Sequence, residues 1–249
     1  MRFTARLRVV LIALMSLTCG SLCAQQGCGA EVKLLLSPDQ LQKALSSLSA
    51  KGETPGRDYF YDTPQLELLS QGLILRLRSG GDGDLTVKLR PSADKKFSGS
   101  SGADERFKCE GEITDRIESN SFSVTIPFGA DRAPEAGEQL HGLLSAGQNK
   151  LLDDSDIPID WSRVKQVADV RSTSWTIRVD ALPRKLSLEL WKWPKGSVLE
   201  LSTKADADAG LTTYDALQDL AKKNGLTLSK DQRSKTATAL HQLNPGSEK

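Results

Sequence analysis

The sequence predicts one α+β domain in which a curled β-sheet lines a charged cavity. Segment 75–90, LRLRSGGDGDLTVKLR, alternates charged and aliphatic residues with a period of two, and its charged members are nearly all cations. Ionisable or polar residues recur two apart in several other strand-like segments, and helical segments lie between and after them. Because strand side chains alternate between two faces, this period places the ionisable residues on one shared face of the sheet.

Segment 75–90 itself predicts a β-hairpin with one cationic face. Arg76 and Arg78 lie on one side of its first strand, Lys88 and Arg90 lie on one side of its second, and the glycine-rich residues 80–83 form the turn. Such alternation is also typical of an ordinary solvated sheet face, but its repetition in four strands favours a lined cavity. The same parity gives further candidates for the cavity wall: Glu31, Lys33, Lys108, Glu110, Glu112, Glu200 and Lys204.

Turn residues and periodicity divide the rest of the chain into elements. Short alternating or apolar runs predict strands at residues 30–36, 58–62, 73–78, 84–90, 106–114, 174–180, 185–191 and 197–205. Helical periodicity and start signals, including Pro38 in a first turn, predict helices at residues 38–48, 64–71, 134–145, 161–167, 213–224 and 230–243. The polar, Gly/Ser-rich segment 92–104 predicts a mobile loop. No internal repeat or clear linker interrupts residues 25–249, so we expect a single domain.

Residues 1–24 predict a secretory signal peptide, and therefore export to the periplasm or the exterior. Three arginines precede the apolar run 9–17, and small residues end it near Ala24. That run is too short for a comfortable transmembrane span. Loss of the three arginines turns the formal net charge of +1 slightly negative. Clustered cations in a nearly neutral chain indicate a local anion site and not a nucleic-acid or membrane surface.

The positions of the cysteines are relevant to the predicted export. Cys19 and Cys23 lie in the leader, which leaves Cys28 and Cys109 in the exported chain. Both have the outward parity of their strands, and an oxidising compartment permits a disulfide between them. Two unpaired thiols are the alternative, because pairing depends on a distance. A lipoprotein acylated at Cys19 or Cys23 is a weaker alternative, since the residues before them suit lipidation poorly.

Seven short motifs extend across residues 29–240 in one order. They are GAEVK at 29–33, YFYDTP at 59–64, GLILRLR at 72–78, TVK at 86–88, EGE at 110–112, LELSTK at 199–204 and SK at 234–235. Each motif alone is weak. Their joint order and parity resemble the CYTH domain, also called the triphosphate tunnel metalloenzyme family.

The resemblance implies an antiparallel eight-stranded tunnel with flanking helices and a charged interior. It implies hydrolysis of inorganic tripolyphosphate or an organic triphosphate with Mg²⁺ or Mn²⁺, in which positioning and charge stabilisation suffice without a nucleophilic side chain. The substrate-binding candidates are Lys33, Arg76, Arg78, Lys88, Arg90, Lys108, Lys204 and Lys235. The metal-binding candidates are Glu31, Glu110, Glu112 and Glu200, with Glu189 as a further carboxylate.

One position departs from the family pattern. Gly29 replaces the first glutamate of the opening ExExK motif and cannot ligate a metal through a side chain. This departure keeps a second function class open, a tunnel that binds polyanions or serves a structural role without turnover. For Glu110 and Glu112, a structural ion network is compatible with either function. His141 and His241 lack the spacing of metal ligands.

Overall fold

The computed structural model describes residues 28–80, 83–92, 97, 106–129 and 133–246. The expected signal peptide at 1–24 and most of the expected loop at 92–104 lie outside these residues. The strands in this part of the chain are β1 (Gly29–Leu36), β2 (Lys51–Asp62), β3 (Leu73–Ser79), β4 (Asp84–Leu89), β5 (Phe107–Thr114), β6 (Ile117–Pro127), β7 (Lys165–Ile177), β8 (Leu186–Trp193) and β9 (Gly196–Ala205).

Short helices connect and cover the strands. The α-helices of the described residues are α1 (Leu41–Ser47), α2 (Glu67–Ser70), α3 (Gly137–His141), α4 (Ala146–Asp154), α5 (Gly210–Lys223) and α6 (Lys235–Leu243). Single 3₁₀ turns at Pro38–Gln40 and Ala207–Ala209 precede α1 and α5. None of these helices is long and apolar enough to cross a membrane.

The strands close into a barrel in the order β1-β5-β6-β4-β3-β2-β7-β8-β9, and β9 pairs with β1. The predicted α+β class and the closed tunnel are therefore confirmed. The prediction of eight antiparallel strands needs correction, because the described residues form nine strands and β1 runs parallel to β5. A closed ring with an odd number of strands cannot alternate direction throughout, so one parallel pair is unavoidable.

Strand β6 has no counterpart among the predicted strands. Its first half, 118–121, is rich in serine and asparagine, which have low β propensity. Asp115 and Arg116 join it to β5, and their positive φ angles of 51° and 60° are those of a two-residue type I′ turn. That turn usually carries glycine, so Asp-Arg gives little sequence signal. The alternating apolar residues at 122–126 are the signal that could have identified the strand.

Strands β2 and β7 are longer than predicted, and one predicted helix is wrong. Residues 51–57 pair with β7 despite containing two glycines and a proline, residue types that commonly end strands. The predicted helix 161–167 is a turn followed by the start of β7. The backbone amide of Ser162 donates to Asp160 Oδ1 at 3.1 Å and fixes this turn, after which pairing with β2 outweighs helical periodicity.

The predicted helix 134–145 is shorter than expected, and a second helix follows it. Within that range only α3 is helical, and α4 begins after Ser145. Ser145 and Gln148 form a capping box, with backbone-to-side-chain hydrogen bonds of 3.2 and 3.0 Å. The amide of Gln148 also donates to the Leu85 carbonyl at 2.8 Å and fixes α4 to β4. At the chain's end, Ser234 caps α6, which therefore starts later than predicted.

Apolar residues pack on both faces of the barrel wall. On the outer face, Val32 and Leu34 of β1 lie under Tyr214 and Leu217 of α5, and α4 covers β4. Each fully buried side chain of this kind contributes about 2 kcal/mol relative to exposure. Inside, one end of the barrel holds an apolar layer of Leu35, Phe60, Ile74, Val170, Trp191 and Val198, with Ala239 and Leu240 of α6 packed against it. Helix α6 therefore closes that end.

Cys28 and Cys109 form a disulfide with their Cα atoms 4.9 Å apart. It joins the start of β1 to β5, beside the register pair of Gly29 and Glu110. In the chain-entropy view, a cross-link across 81 residues stabilises by about 4 kcal/mol, by restricting the unfolded chain. The bond lies where the parallel strand pair begins, and this edge carries part of the charged interior.

Gly72 provides a test of how the end of β4, and with it Arg90, is held. Its φ is 83°, and an added Cβ would lie 2.0 Å from the Arg90 carbonyl oxygen. We expect Gly72→Ala to lower the free energy of unfolding by more than about 2 kcal/mol, because it combines left-handed backbone strain with a backbone clash. Gly52 has a φ of 71° and nothing within 4 Å of its would-be Cβ. Gly52→Ala should therefore cost only about 1 kcal/mol. Urea denaturation measures both, and equal losses would contradict the close approach.

Candidate functional site

One buried carboxylate joins three cations inside the barrel. Glu112 of β5 is 4% exposed. Arg90, just after β4, donates from Nε and Nη2 to Glu112 Oε2 at 2.9 and 2.8 Å, and Lys88 Nζ donates to Oε1. Lys33 Nζ of β1 lies 3.3 Å from Oε1 and 2.8 Å from Glu31 Oε2. These residues, all predicted from strand parity, are brought together.

Ion pairing and burial together determine whether Glu112 and Lys88 are charged. Burial opposes ionisation of Glu112, but the charges of Lys33, Arg90 and Lys88 outweigh it and hold the pKa of Glu112 below its ordinary value. Burial lowers the pKa of Lys88 to about 8, and the neighbouring Lys33 and Arg90 add to this effect while Glu112 opposes it. Near neutral pH the Glu112 carboxylate and the Lys88 ammonium are therefore both charged.

Arg76 and Arg78 form a second cluster around buried Asp58. Asp58 Oδ1 lies 3.4 Å from Arg78 Nε and 3.9 Å from Arg76 Nε, and Asp58 is fully buried. Asp84 approaches the same two guanidinium groups at 3.5 and 3.6 Å. Burial raises the pKa of Asp58, while the arginines oppose that rise. Asp58 of β2 and Asp84 of β4 therefore face the arginines of β3 through long ion pairs rather than close, bidentate ones.

Helix α6 inserts Lys235 into the barrel to form a third cluster. Lys235 Nζ lies 2.8 Å from Glu200 Oε1, contacts Glu189 Oε2, and lies 4.8 Å from the ring centre of Trp191. The Trp191 indole donates to Glu189 Oε1 at 2.8 Å. Although burial opposes ionisation of Glu189, Lys235 lowers its pKa to about 2. The cation from the SK motif is therefore fixed between two strands at the closed end.

The fourth cluster lies where Lys204 of β9 meets β1 and β5. Lys204 Nζ lies 3.1 Å from Glu31 Oε1 and 2.5 Å from Glu110 Oε1. Burial opposes ionisation of Glu31, but Lys33 and Lys204 keep its pKa below the ordinary value. Lys108 has the same strand parity as Glu110 but is exposed, and no ion pair found among the described residues includes it.

The interior cations and carboxylates are equal in number within the described ion pairs. The cations are Lys33, Arg76, Arg78, Lys88, Arg90, Lys204 and Lys235. The carboxylates are Glu31, Asp58, Asp84, Glu110, Glu112, Glu189 and Glu200. Each of these cations thus has at least one carboxylate of the chain as an ion-pair partner. An anion that enters must compete with these carboxylates or arrive with its own positive charge.

Sequence reasoning missed Asp58 and Asp84 as members of the site. Asp58 lies two residues before Phe60 on β2 and shares its inward parity, which is the signal that could have identified it. Asp62, by contrast, serves the local turn. Its carboxylate accepts the backbone amides of Thr63 and Leu68 at 2.7 and 2.9 Å and so begins α2.

The motif order and the tunnel agree with a comparison against protein families. A sequence profile of the CYTH domain matches residues 30–234. The chain therefore belongs to the CYTH domain family. A search of curated proteins found no match to the sequence.

Two solved structures share the fold at low sequence identity. A putative adenylyl cyclase from Hippeastrum, described as having a dominant triphosphatase activity, is 18% identical, with 84% of this chain and 93% of that chain covered and a TM-score of 0.58. A putative adenylate cyclase from Bacillus halodurans is 15% identical, with 85% and 97% covered and a TM-score of 0.59. At these identities the likeness concerns the fold.

Proteins of this family generally depend on a divalent metal, and Mg²⁺ and Mn²⁺ need oxygen ligands such as carboxylates. Among the described residues, no group of three or more acidic, histidine or cysteine side chains has the arrangement of a metal centre. Glu31 and Glu110 nevertheless contact one cation together, the Lys204 ammonium. Carboxylate oxygens are the donors that these hard cations prefer. The donor chemistry therefore fits, with an ammonium standing between the two carboxylates.

Glu189 allows the electrostatic account to be tested by pH. Because its folded-state pKa lies below the unfolded value, its stabilisation is present above about pH 4.5 and is lost as the pH falls toward about 2. We expect Glu189→Gln, which keeps an acceptor for Trp191, to be about 2 kcal/mol less stable than wild type at neutral pH. That difference should shrink as the pH falls below about 4.5 and approach zero near pH 2. Urea denaturation over this range checks it, and a difference that stays constant with pH would contradict the pairing.

Proposed function

We propose that this protein is an exported hydrolase that binds inorganic tripolyphosphate or an organic triphosphate inside the barrel and cleaves it with a divalent metal. The observation that supports this most strongly is the interior composition, in which clustered arginines and lysines are held in place by carboxylates. Arginine forks and lysine ammonium groups are the side chains that best match phosphate oxygens. The leader-like residues 1–24 and the disulfide support export.

The equal numbers of cations and carboxylates favour a metal requirement. A triphosphate carries several negative charges, whereas the paired interior offers no net charge to attract it. A divalent cation held by Glu31 and Glu110 would supply positive charge and occupy carboxylates that otherwise hold lysines. When bound, such a metal polarises the terminal phosphoryl group and helps to orient water.

The chain's own residues bind and orient the phosphates. Lys88 and Arg90 would donate to the substrate as well as to Glu112, and Arg76 and Arg78 would exchange their long contacts with Asp58 and Asp84 for closer ones to phosphate oxygens. Water oxygen then bonds to the terminal phosphorus as the bridging P–O bond breaks, the proton lost by the water passes to a phosphate oxygen of the products, and orthophosphate and the corresponding diphosphate leave. Charge stabilisation of this kind needs no nucleophilic side chain.

A second candidate function, polyanion binding without turnover, is favoured by Gly29. Its absent side chain removes one carboxylate from the edge where Glu31 and Glu110 lie. A tunnel with too few metal ligands could still bind phosphates through its cations. Metal-stimulated phosphate release separates the two functions.

We expect wild-type protein to release phosphate from tripolyphosphate when Mg²⁺ or Mn²⁺ is present. Arg78→Ala should weaken tripolyphosphate binding by about tenfold or more, because a charge-assisted hydrogen bond is lost. Titration calorimetry measures the affinity, and a phosphate-release assay measures turnover.

Arg57→Ala is the matched control. Arg57 lies next to Arg78's register partner Asp58 but faces outward and pairs with Asp169. It should change neither affinity nor turnover. Tight binding with no release under any divalent metal would reject the hydrolase and leave the binding function. No binding with or without metal would reject both.

A further inference from the structure

The Lys204 ammonium lies between Glu31 and Glu110, where a metal ion bound by these two carboxylates would otherwise lie. Lys204 lies directly opposite Glu31 in the register of β9 and β1, while Glu110 lies opposite Gly29 in the register of β5 and β1. Its Nζ is 3.1 Å from one carboxylate and 2.5 Å from the other. A single ammonium thus joins both carboxylates of this edge.

The shape of the strand does not demand glycine at position 29. A Cβ added to Gly29 would meet only the Ala205 carbonyl oxygen, at 4.0 Å, which is an ordinary contact. Its φ is not in the left-handed region either. A side chain could therefore be present without strain. Its absence changes the charge of the edge, where Lys204 contacts Glu31 Oε1 and Glu110 while Lys33 holds the other oxygen of Glu31.

A divalent metal and the Lys204 ammonium cannot share these oxygens. Mg²⁺ binds oxygen at about 2.1 Å, so the ammonium must leave before the metal enters. Two cations a few ångströms apart also repel each other by about 1 kcal/mol or more, even in a watery site. The side chain of Lys204 is 49% exposed and can swing away from the carboxylates.

We infer that the Lys204 ammonium competes with the divalent metal for the carboxylates of Glu31 and Glu110. Lys204 therefore weakens metal binding there until a phosphate group draws the ammonium away. This inference rests on the proposed function, because that function places the divalent metal at the same two carboxylates. Triphosphate and metal then bind cooperatively, because the anion takes the lysine and the metal takes the freed carboxylates. Each ligand strengthens the binding of the other by the same factor.

The test measures Mn²⁺ binding, without phosphate, to wild type and to Lys204→Met by titration calorimetry and by the electron paramagnetic resonance of free Mn²⁺. Methionine keeps the length of the side chain but removes its charge. Lys204→Met should bind Mn²⁺ about tenfold more tightly than wild type. Tripolyphosphate should tighten Mn²⁺ binding in wild type and much less in Lys204→Met.

Two controls separate this effect from a general loss of charge. Lys150 has a side chain 48% exposed and pairs with Asp154 at 2.9 Å on α4, so Lys150→Met matches the substitution away from the barrel. It should leave Mn²⁺ affinity unchanged. Lys204→Arg keeps the charge and should keep the weak binding of wild type.

Equal Mn²⁺ affinity in wild type and Lys204→Met, or no saturable binding by either protein, would overturn the inference. Thermal unfolding establishes that each variant is folded. If Lys204→Met does not fold, Lys204→Gln provides the test, since it also removes the ammonium from Glu31 and Glu110 and should tighten Mn²⁺ binding, and an unchanged affinity there would overturn the inference. Tighter Mn²⁺ binding without phosphate release would support this inference and reject the proposed hydrolase.

Discussion

The interior of this barrel depends on buried carboxylates that keep cations charged and in place, and Glu112 is the clearest of them. It receives hydrogen bonds or ion contacts from Lys33, Lys88 and Arg90, which come from strands on both sides of β5. An unpaired charge at such depth would cost several kcal/mol, so removal of the carboxylate would leave Lys88 and Arg90 without compensation, while Lys33 would keep its contact with Glu31. The same pairing that stabilises the barrel also positions these cations for an anion. Stability and binding capacity are therefore set by one network.

The barrel is also chemically divided along its length. At the closed end, Phe60 and Trp191 pack against α6 and exclude water. Lys235 enters at the boundary of this apolar layer, where low polarity strengthens its attraction to Glu189 and Glu200. Toward the other clusters the lining becomes ionic, and Lys204 is half exposed. The lining that a polyanion would contact therefore changes from apolar at the closed end to ionic along the barrel. The most solvated ion pairs of this lining are those of Lys204 with Glu31 and Glu110.

Strand parity predicted the site better than it predicted the elements. Arg76, Arg78, Lys88 and Arg90 lie inside as their alternation with leucines indicates, because one face of a closed barrel is common to all strands. The pairing of each cation could not be predicted, since it depends on register between strands distant in the chain. Asp58 shows this, because only the alignment of β2 with β3 places it beside Arg78.

The elements that sequence reasoning missed share a physical cause. Strand β6 is specified by its neighbours β4 and β5 and by an uncommon Asp-Arg turn, and its serines and asparagine carry little propensity of their own. The predicted helix at 161–167 fails for a similar reason, since pairing with β2 overrides a local pattern. Helix α4 is different, because the spacing of Ser145 and Gln148 is a local start signal.

We propose that a triphosphate binds inside the barrel by taking over cations that the chain's own carboxylates hold. A crystal structure of the protein with tripolyphosphate and Mn²⁺ tests it most directly, since anomalous scattering locates the metal. We expect phosphate groups of substrate or product inside the barrel, in contact with Arg76, Arg78 and Lys88, with manganese at Glu31 and Glu110 and Lys204 turned away. Phosphate bound only on the outer surface, with the interior ion pairs unchanged, would contradict it.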